Sequence, residues 1–331
     1  MLIIRTSNLT KEFSLKKKKK GLRGSIQSIL KPSYQTIKAV KGINFQVKQG
    51  EMLGFIGPNG SGKSTTIKML SGILTPSEGE LQVLGTNPVT QRRKLTRHIG
   101  TVYGQKSQLW YHIPPIDTFY LFSKIYEIEE NAFKKQLDKL VELFQLENIL
   151  NVAARKLSLG QRMKCEIAAS LLHQPKLVFL DEPTIGLDII AKQQIREALL
   201  EMNRSEGTTV MLTSHDVGDI ESLCDRVIVI NQGEMVFDDH IDQLKRRFIH
   251  HKVVEIGFTK PTVVNSLPPD VDIIYADQMN LKLKVKHGIS QLMEHLMVQY
   301  SVADLNINEP SMEEVIRSIY QESSQEEVKN A

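Results

Sequence analysis

The stretch MLGFIGPNGSGKSTTIKMLSG, residues 52–72, decides how this chain folds. MLGFI (52–56) is a short continuous apolar run, which predicts a fully buried strand, because half-exposed strands alternate polar and apolar residues. GPNGSGKS (57–64) follows it and matches G-x-x-x-x-G-K-[ST]. TTIKML then takes helical spacing and stops at Gly72. Strand, glycine loop and helix in this order form a phosphate cradle. The glycines let successive backbone N–H groups turn toward phosphate oxygens, and the helix adds the positive end of its dipole. Lys63 is placed to neutralise β- and γ-phosphates, and Ser64 to put its hydroxyl on a Mg²⁺ ion bridging them. The candidate nucleotide contacts are therefore Gly57, Pro58, Asn59, Gly60, Ser61, Gly62, Lys63, Ser64 and Thr65.

Farther along, LVFLD (177–181) is a second apolar strand. It delivers two adjacent carboxylates, Asp181 and Glu182, at its carboxyl end, where ligands of open α/β sheets bind. Side chains alternate along a strand, so the two are aimed differently. Asp181 is expected in the Mg²⁺ shell and Glu182 as the general base acting on an attacking water. Together with the phosphate loop, the pair points to nucleoside triphosphate hydrolysis. TVMLTSH (209–215) and RVIVI (226–230), with helical patterns between strands, predict a largely parallel, covered sheet. INFQV (43–47) alternates like a half-buried strand, and shorter strands are expected at GELQVLG (79–85) and HIGTVYG (98–104). The interval 65–180 is too long for one crossover connection, so a helical segment is inserted. Its parts are periodic stretches near 115–128 and 131–146, then LSLGQRMKCEIAASLLH (157–173). The last opens with Ser158 and Gln161 at capping-box spacing, which by itself accounts for LSLGQ as a helix start.

The chain has 331 residues, 41% hydrophobic and 24% charged. That is enough for a full core and suggests one large domain with a smaller one, or two domains. The longest apolar runs, such as KLVFL (176–180) and VIVI (227–230), fall far short of the roughly 20 residues a membrane-spanning helix needs. MLIIRTSN lacks the apolar core of a signal peptide. The two cysteines, Cys165 and Cys224, show no partner pattern and fit a reducing cytoplasm. A net charge of +4 is too mild to argue for nucleic acid, but Lys16 to Lys20 form an unbroken run. No aromatic residues interleave with those lysines, as nucleic-acid binding would favour. Two readings of the run stay open: a solvated, flexible insertion, or attraction to anionic lipid headgroups. Beyond about residue 243 come VVEIGF, LKLKVKH, helix-like ISQLMEHLMVQY, strand-like VADLNI and a last helix opened by Ser311 with Glu314. These predict a small α+β unit, so the expected domains are 1–243 and 244–331.

GPNGSGKS, Gln105 in VYGQKSQ, LSLGQ, LVFLDE, GLD at 186–188 and His215 after a strand occur in that order. Over about residues 1–243 this set resembles the nucleotide-binding subunits of ATP-binding cassette (ABC) transporters. The resemblance implies an α/β fold: a P-loop ABC ATPase domain, with a mixed sheet core and an inserted helical subdomain, followed by a small α+β C-terminal domain. It implies ATP and Mg²⁺ as cofactors. Gln105 would contact Mg²⁺ and the attacking water and sense a membrane partner. Asp188 would belong to the loop linking two active sites across a dimer, and His215 would be the switch histidine at the γ-phosphate. Read alone, Gln105 is a polar turn residue and His215 a strand-end histidine. LSLGQ becomes the family signature, with Ser158, Gly160 and Gln161 acting in trans on the other subunit's ATP; the usual glycine is Leu159 here. An aromatic stacks on adenine in the family, and both Phe13 in LTKEF and Tyr34 beyond the basic run are candidates. VYGQKSQLW and SMEEVI look most like ATPase subunits of bacterial exporters whose membrane permeases are separate chains. The implied protein pairs with a copy of itself or a related ATPase subunit, at the cytoplasmic face of the membrane. Two alternatives are a polysaccharide-export ATPase and a soluble ABC-type ATPase acting on ribosomes or nucleic acid. Sparse aromatics after residue 250 argue against the first; a single phosphate loop and no sustained heptads argue against the second.

Overall fold

The computed structural model describes residues 1–16, 34–104, 106–214, 216–249, 251–264, 267–268 and 270–320. Gln105, His215 and Lys17 to Lys20 lie outside the described residues. The chain divides into two compact units, Met1–Ile241 and Asp242–Ala331.

In the first unit, β1 (Leu2–Lys16), β2 (Tyr34–Ile43) and β3 (Gln46–Lys48) lead to β4 (Met52–Ile56), α1 (Lys63–Leu70) and β5 (Glu78–Val83). Next come α2 (Arg92–Thr96), β6 (Ile99–Tyr103), α3 (Pro115–Ile125), α4 (Glu130–Phe144) and α5 (Leu159–Leu171). β7 (Leu177–Asp181), α6 (Ile189–Glu206), β8 (Thr209–Ser214), α7 (Val217–Leu223), β9 (Arg226–Asn231) and β10 (Glu234–His240) complete it. Six strands form one sheet in the order β10-β9-β4-β8-β7-β6, parallel except at the β10–β9 edge. All five residues of MLGFI are buried, as are Leu177 to Leu180, because a parallel sheet is covered on both faces and needs apolar side chains on both. The register sets Ile56 beside Ser214 and Asp181 beside Thr213, so the functional loops leave the sheet at one level.

A second, antiparallel sheet joins β1 to β2, β3 and β5. Its Ile4, Val40 and Val47 share a core with Phe55, Ile67 and Phe179 of the parallel layer and α1. INFQV alternates as expected, with Ile43, Phe45 and Val47 buried between exposed Asn44 and Gln46, yet it is not one strand. Asn44 breaks it: its Oδ1 accepts from Asn8 N–H at 2.8 Å and its Nδ2 donates to Gly42 O at 2.8 Å, replacing ladder bonds with local ones. The first seven residues of β2 include six exposed or half-buried ones, so no apolar pattern announced that strand. β10 escaped notice for the same reason, with Phe237 its one fully buried side chain. Both cysteines are free and buried, as small core residues.

The helix α8 (Ile241–Phe248) precedes β11 (Lys252–Phe258), β12 (Val271–Ala276), β13 (Asn280–Val285), α9 (Ile289–Gln299) and β14 (Val302–Asn308). The four strands make an antiparallel sheet in the order β12-β13-β11-β14. Alternate residues Val254, Ile256, Leu281 and Leu283 pack against Leu292 and Leu296 of α9. The expected last helix occupies 312–320, with Ser311 Oγ accepting from Glu314 N–H at 3.3 Å. β12 was not expected; it is a mostly exposed edge strand without alternation.

Candidate nucleotide site

The loop between β4 and α1 can be built only with glycine at two places. A Cβ on Gly57 would lie 2.3 Å from Ile230 O, and one on Gly62, whose φ is +110°, would lie 2.5 Å from Ala39 O. No side chain caps the start of α1, so its first-turn N–H groups, which have no carbonyl partner within the helix, are left for a ligand. Gly62, Lys63, Ser64 and Thr65 line a cavity of about 530 Å³ together with Asp181 and Glu182. The buried Ser61 hydroxyl has no hydrogen-bond partner among the described residues. Lys63 Nζ folds back over the loop, donating to Gly57 O at 2.7 Å and Pro58 O at 3.2 Å, 4.0 Å from Glu182. Burial pulls its pKa below that of a free lysine, while Glu182 and Asp181 oppose the shift.

Asp181 Oδ1 accepts from Ser64 Oγ at 3.0 Å and from Thr213 Oγ1 at 2.7 Å. The same Thr213 hydroxyl accepts from Glu182 N–H at 3.0 Å, so one side chain fixes both carboxylate residues. Glu182 has φ +54°, a left-handed conformation uncommon outside glycine. Its N–H also donates to Thr213 O at 3.1 Å. The turn out of β7 therefore lets Asp181 and Glu182 share one cavity, which strict strand alternation would not. Gly104 N–H donates to Asp181 O at 2.9 Å, and a Cβ on Gly104 would come within 2.7 Å of Glu182 O. The residue before Gln105 is thus pressed against the pair, as Ser214, the residue before His215, stands beside Ile56.

A nucleoside triphosphate with Mg²⁺ fits these groups: an orphaned buried hydroxyl, an uncapped helix start and a buried lysine all offer donors to phosphate. Ser64 and Asp181 offer the ion one hydroxyl and one carboxylate. Among the described residues no three His, Cys, Asp or Glu side chains are grouped to hold a metal alone. Such an ion would complete its shell with phosphate and water, as Mg²⁺ does at phosphate sites.

The remaining expected residues stand elsewhere. Ser158 caps α5, its Oγ accepting from Gln161 N–H at 3.2 Å while Gln161 Oε1 accepts from Ser158 N–H at 3.0 Å. Gly160 is buried, and a Cβ there would lie 2.7 Å from Ala191 Cβ on α6. Asp188 caps α6, accepting from Ala191 N–H at 2.8 Å. Ser158, Gly160 and Gln161 at the start of α5 and Asp188 at the start of α6 are brought near one another by the Gly160–Ala191 approach, and none of them lines the 530 Å³ cavity. Phe13 and Tyr34 do not line it either; Ala39 is the residue of β2 that does. Phe13 pairs with Ile37, two residues from Ala39, whereas the exposed Tyr34 is five residues away, about 16 Å along a strand.

Two groups escaped the sequence reading besides Thr213. Asp219 is fully buried, takes Arg196 Nε at 2.9 Å in a two-pronged ion pair, and accepts from Thr184 Oγ1 and from Ser214 Oγ at 3.3 Å. It ties the chain two residues after Glu182 to the residue before His215. Glu166 on α5 accepts from Ser107 Oγ and from Gln108 N–H at 2.8 Å. No spacing in the sequence could flag either, since their partners come from other elements.

A parallel sheet whose strand ends hold a phosphate loop and an Asp-Glu pair, with a helical insertion between them, defines a P-loop ATPase cassette. A family model described as ABC transporter matches residues 40–185. The ABC transporter ATP-binding protein NatA of Bacillus subtilis (strain 168) is 30% identical over 210 residues, 63% of this chain and 85% of its own length. The linearmycin resistance ATP-binding protein LnrL of the same organism is 30% identical over 301 residues, 88% of this chain and 96% of its own. The bacitracin transport ATP-binding protein BcrA of Bacillus licheniformis is 33% identical over 214 residues, 65% and 69% of the two chains. Among solved structures, the dimeric ATP-binding cassette MJ0796 bound to ADP and Pi superposes with a TM-score of 0.60 at 25% identity, covering 72% of this chain and 99% of that one. The cbiO1 subunit from Clostridium perfringens gives 0.61 at 26% identity, covering 74% and 91%. The chain belongs to the ABC transporter ATP-binding proteins: it is an ATP-binding, ATP-hydrolysing subunit of a transporter.

Proposed function

We propose that the chain dimerises on ATP, with a copy of itself or a related subunit, and energises a separate multi-span membrane permease that works outward. The observation that carries the dimer is the surface around Ser158. Leu159 is 40% exposed, and Ile189 and Ile190 at the start of α6 are 83% and 70% exposed. An apolar patch of this kind beside a capped helix start marks an interaction site. Covered by a second chain, it would bring the Ser158 hydroxyl and the positive end of α5 to the γ-phosphate held in that chain's phosphate loop.

Within one site, Lys63 and the loop amides hold phosphates, and Ser64 and Asp181 hold Mg²⁺. Glu182 would accept a proton from the attacking water, Gln105 would contact Mg²⁺ and that water, His215 would reach the γ-phosphate, and Asp188 would link the two sites. ATP supplies the phosphoryl group whose transfer to water drives the cycle, with Mg²⁺ neutralising its charge. Phe13 or Tyr34 stacks on adenine, and the strand ladder favours Phe13. The permease contact is supported by Trp110 and Tyr111, 58% and 55% exposed just after Gln105. Among the described residues no helix is long and apolar enough to cross a membrane, which fits a peripheral subunit at the cytoplasmic face. Outward transport is supported by relatives named for bacitracin transport, linearmycin resistance and Nod factor export.

The test separates hydrolysis from association. Glu182→Gln should lose about 10²- to 10⁴-fold in ATPase, as removal of a general base does, yet keep ATP. In that background ATP should drive monomers into dimers trapping two nucleotides, and Ser158→Arg should block this with monomer ATP affinity unchanged. Light scattering with a nucleotide count decides it; dimers in the Ser158→Arg protein would refute the trans role.

A further inference from the structure

Glu166 lies eight residues beyond Ser158 on α5, about 12 Å at 1.5 Å per residue. It is only 4% exposed, and its carboxylate reaches across to the loop after β6. There it accepts from the Ser107 hydroxyl, from Gln108 N–H at 2.8 Å and from Leu109 N–H. A buried carboxylate is costly unless its oxygens are bonded. Three donors from consecutive residues satisfy it and fasten this loop to the helix. The far end of the loop is fastened as well: Tyr111 O accepts from Arg155 N–H at 2.9 Å and Ile113 O from Ala154 N–H at 3.1 Å. Those donors belong to the segment that runs into Ser158. Exposed Trp110 stands between the two anchors, the exposed side chain of Tyr111 follows on the residue whose carbonyl begins the second, and before the first comes Lys106, which lines the nucleotide cavity.

We propose that Glu166 is a positioning residue that couples the Trp110–Tyr111 turn to the signature end of α5. Because a hydrogen-bonded helix moves as a rod, a shift of the turn is carried through the Glu166 carboxylate into α5 and so to Ser158. By linkage the coupling runs both ways: engagement of Ser158 must be felt at the turn. A membrane partner on the turn would load it, and Ser158 would be engaged by a second chain's nucleotide; both rest on the functional reading above.

Trp110 is the chain's only tryptophan, so its fluorescence reports on the turn alone. In the Glu182→Gln background, Mg²⁺-ATP should change Trp110 emission and its quenching by acrylamide, and the part that Ser158→Arg removes measures signature engagement. Glu166→Ala should erase that part while light scattering still finds ATP dimers. Glu166→Gln, which keeps an acceptor oxygen, should retain some of it, and thermal melts confirm that each variant is folded. Dimers whose Trp110 response is absent, or is unchanged in Glu166→Ala, would overturn the coupling and leave the dimer reading standing. Absence of ATP dimers in the parent would sink the dimer reading, and the coupling with it.

Discussion

Replacing Thr213 with valine should loosen Asp181 and Glu182 together while sparing the fold. The hydroxyl donates to the Asp181 carboxylate at 2.7 Å and accepts from Glu182 N–H at 3.0 Å. A hydrogen bond to a charged group contributes about 1.5–3 kcal/mol net, and a neutral one about 0.5–1.5 kcal/mol. Two features lower the sum. Glu182 N–H keeps the Thr213 carbonyl at 3.1 Å, and Asp181, half-buried, keeps Ser64 at 3.0 Å and can recruit water. A loss of about 1–2 kcal/mol remains. At roughly 2–4 °C per kcal/mol for a domain of this size, Tm should fall by about 2–8 °C. With Asp181 free to swing, the Mg²⁺ concentration for half-maximal ATPase should rise about tenfold, since 1.4 kcal/mol is one decade. Thermal unfolding and a Mg²⁺ titration of ATPase measure the two effects, and Thr213→Ser, which keeps the hydroxyl, should behave nearly as wild type. A valine variant with wild-type Tm and Mg²⁺ requirement, or a serine variant as defective as valine, would refute the clamp.

Gly160→Ala drives a methyl to within 2.7 Å of Ala191 Cβ, so it should cost about 1–3 kcal/mol by overpacking and reduce ATP-driven dimerisation by tilting the start of α5. Melting curves and light scattering check it. Asp219→Asn should destabilise by about 2–4 kcal/mol in urea unfolding, somewhat under the usual range for a broken buried pair because Arg196 reaches solvent. Serine at Lys16 to Lys20 should lower binding to anionic vesicles at low salt and leave soluble ATPase intact if that run meets lipid, and vesicle binding that does not change would leave the linker reading.

The phosphate loop was legible in the sequence because its residue types recur at fixed spacing within eight positions, even though distant residues enforce some of them. Gly62 needs its φ of +110° whatever surrounds it, Gly57 and Gly62 are further pressed by Ile230 O and Ala39 O, and a buried parallel strand must be apolar throughout, so MLGFI and LVFL announced themselves. The clamps were not legible. Thr213 reaches Asp181 across 32 positions, Asp219 reaches Thr184 across 35, and Glu166 reaches Ser107 across 59. Such contacts are made by strand register and helix packing, which leave no period in the chain. β2 and β12 were missed for the opposite reason: they bury so little that no hydrophobic pattern exists to read. INFQV had the right pattern and the wrong continuity, because one asparagine side chain could satisfy the backbone locally.

The two readings of LSLGQ, helix cap and trans signature, need not compete. In the capping box the Ser158 oxygen accepts from Gln161 N–H, which uses one lone pair. The hydroxyl proton is not spent on that bond, and a serine can donate while it accepts. Capping therefore fixes where the oxygen sits and leaves its O–H for a phosphate oxygen arriving from outside. Gly160 lets α5 lie against α6, so that exposed Ser158, Leu159, Ile189 and Ile190 form one approachable surface. A residue that stabilised the helix through its proton could not serve both ends, and an aspartate such as Asp188 can cap but carries no proton to donate. On the proposed trans reading, the same argument explains how a stretch with no charged or metal-binding side chain before Arg162 would serve an ATPase: it would offer a donor positioned by the cap and the dipole of the helix that follows.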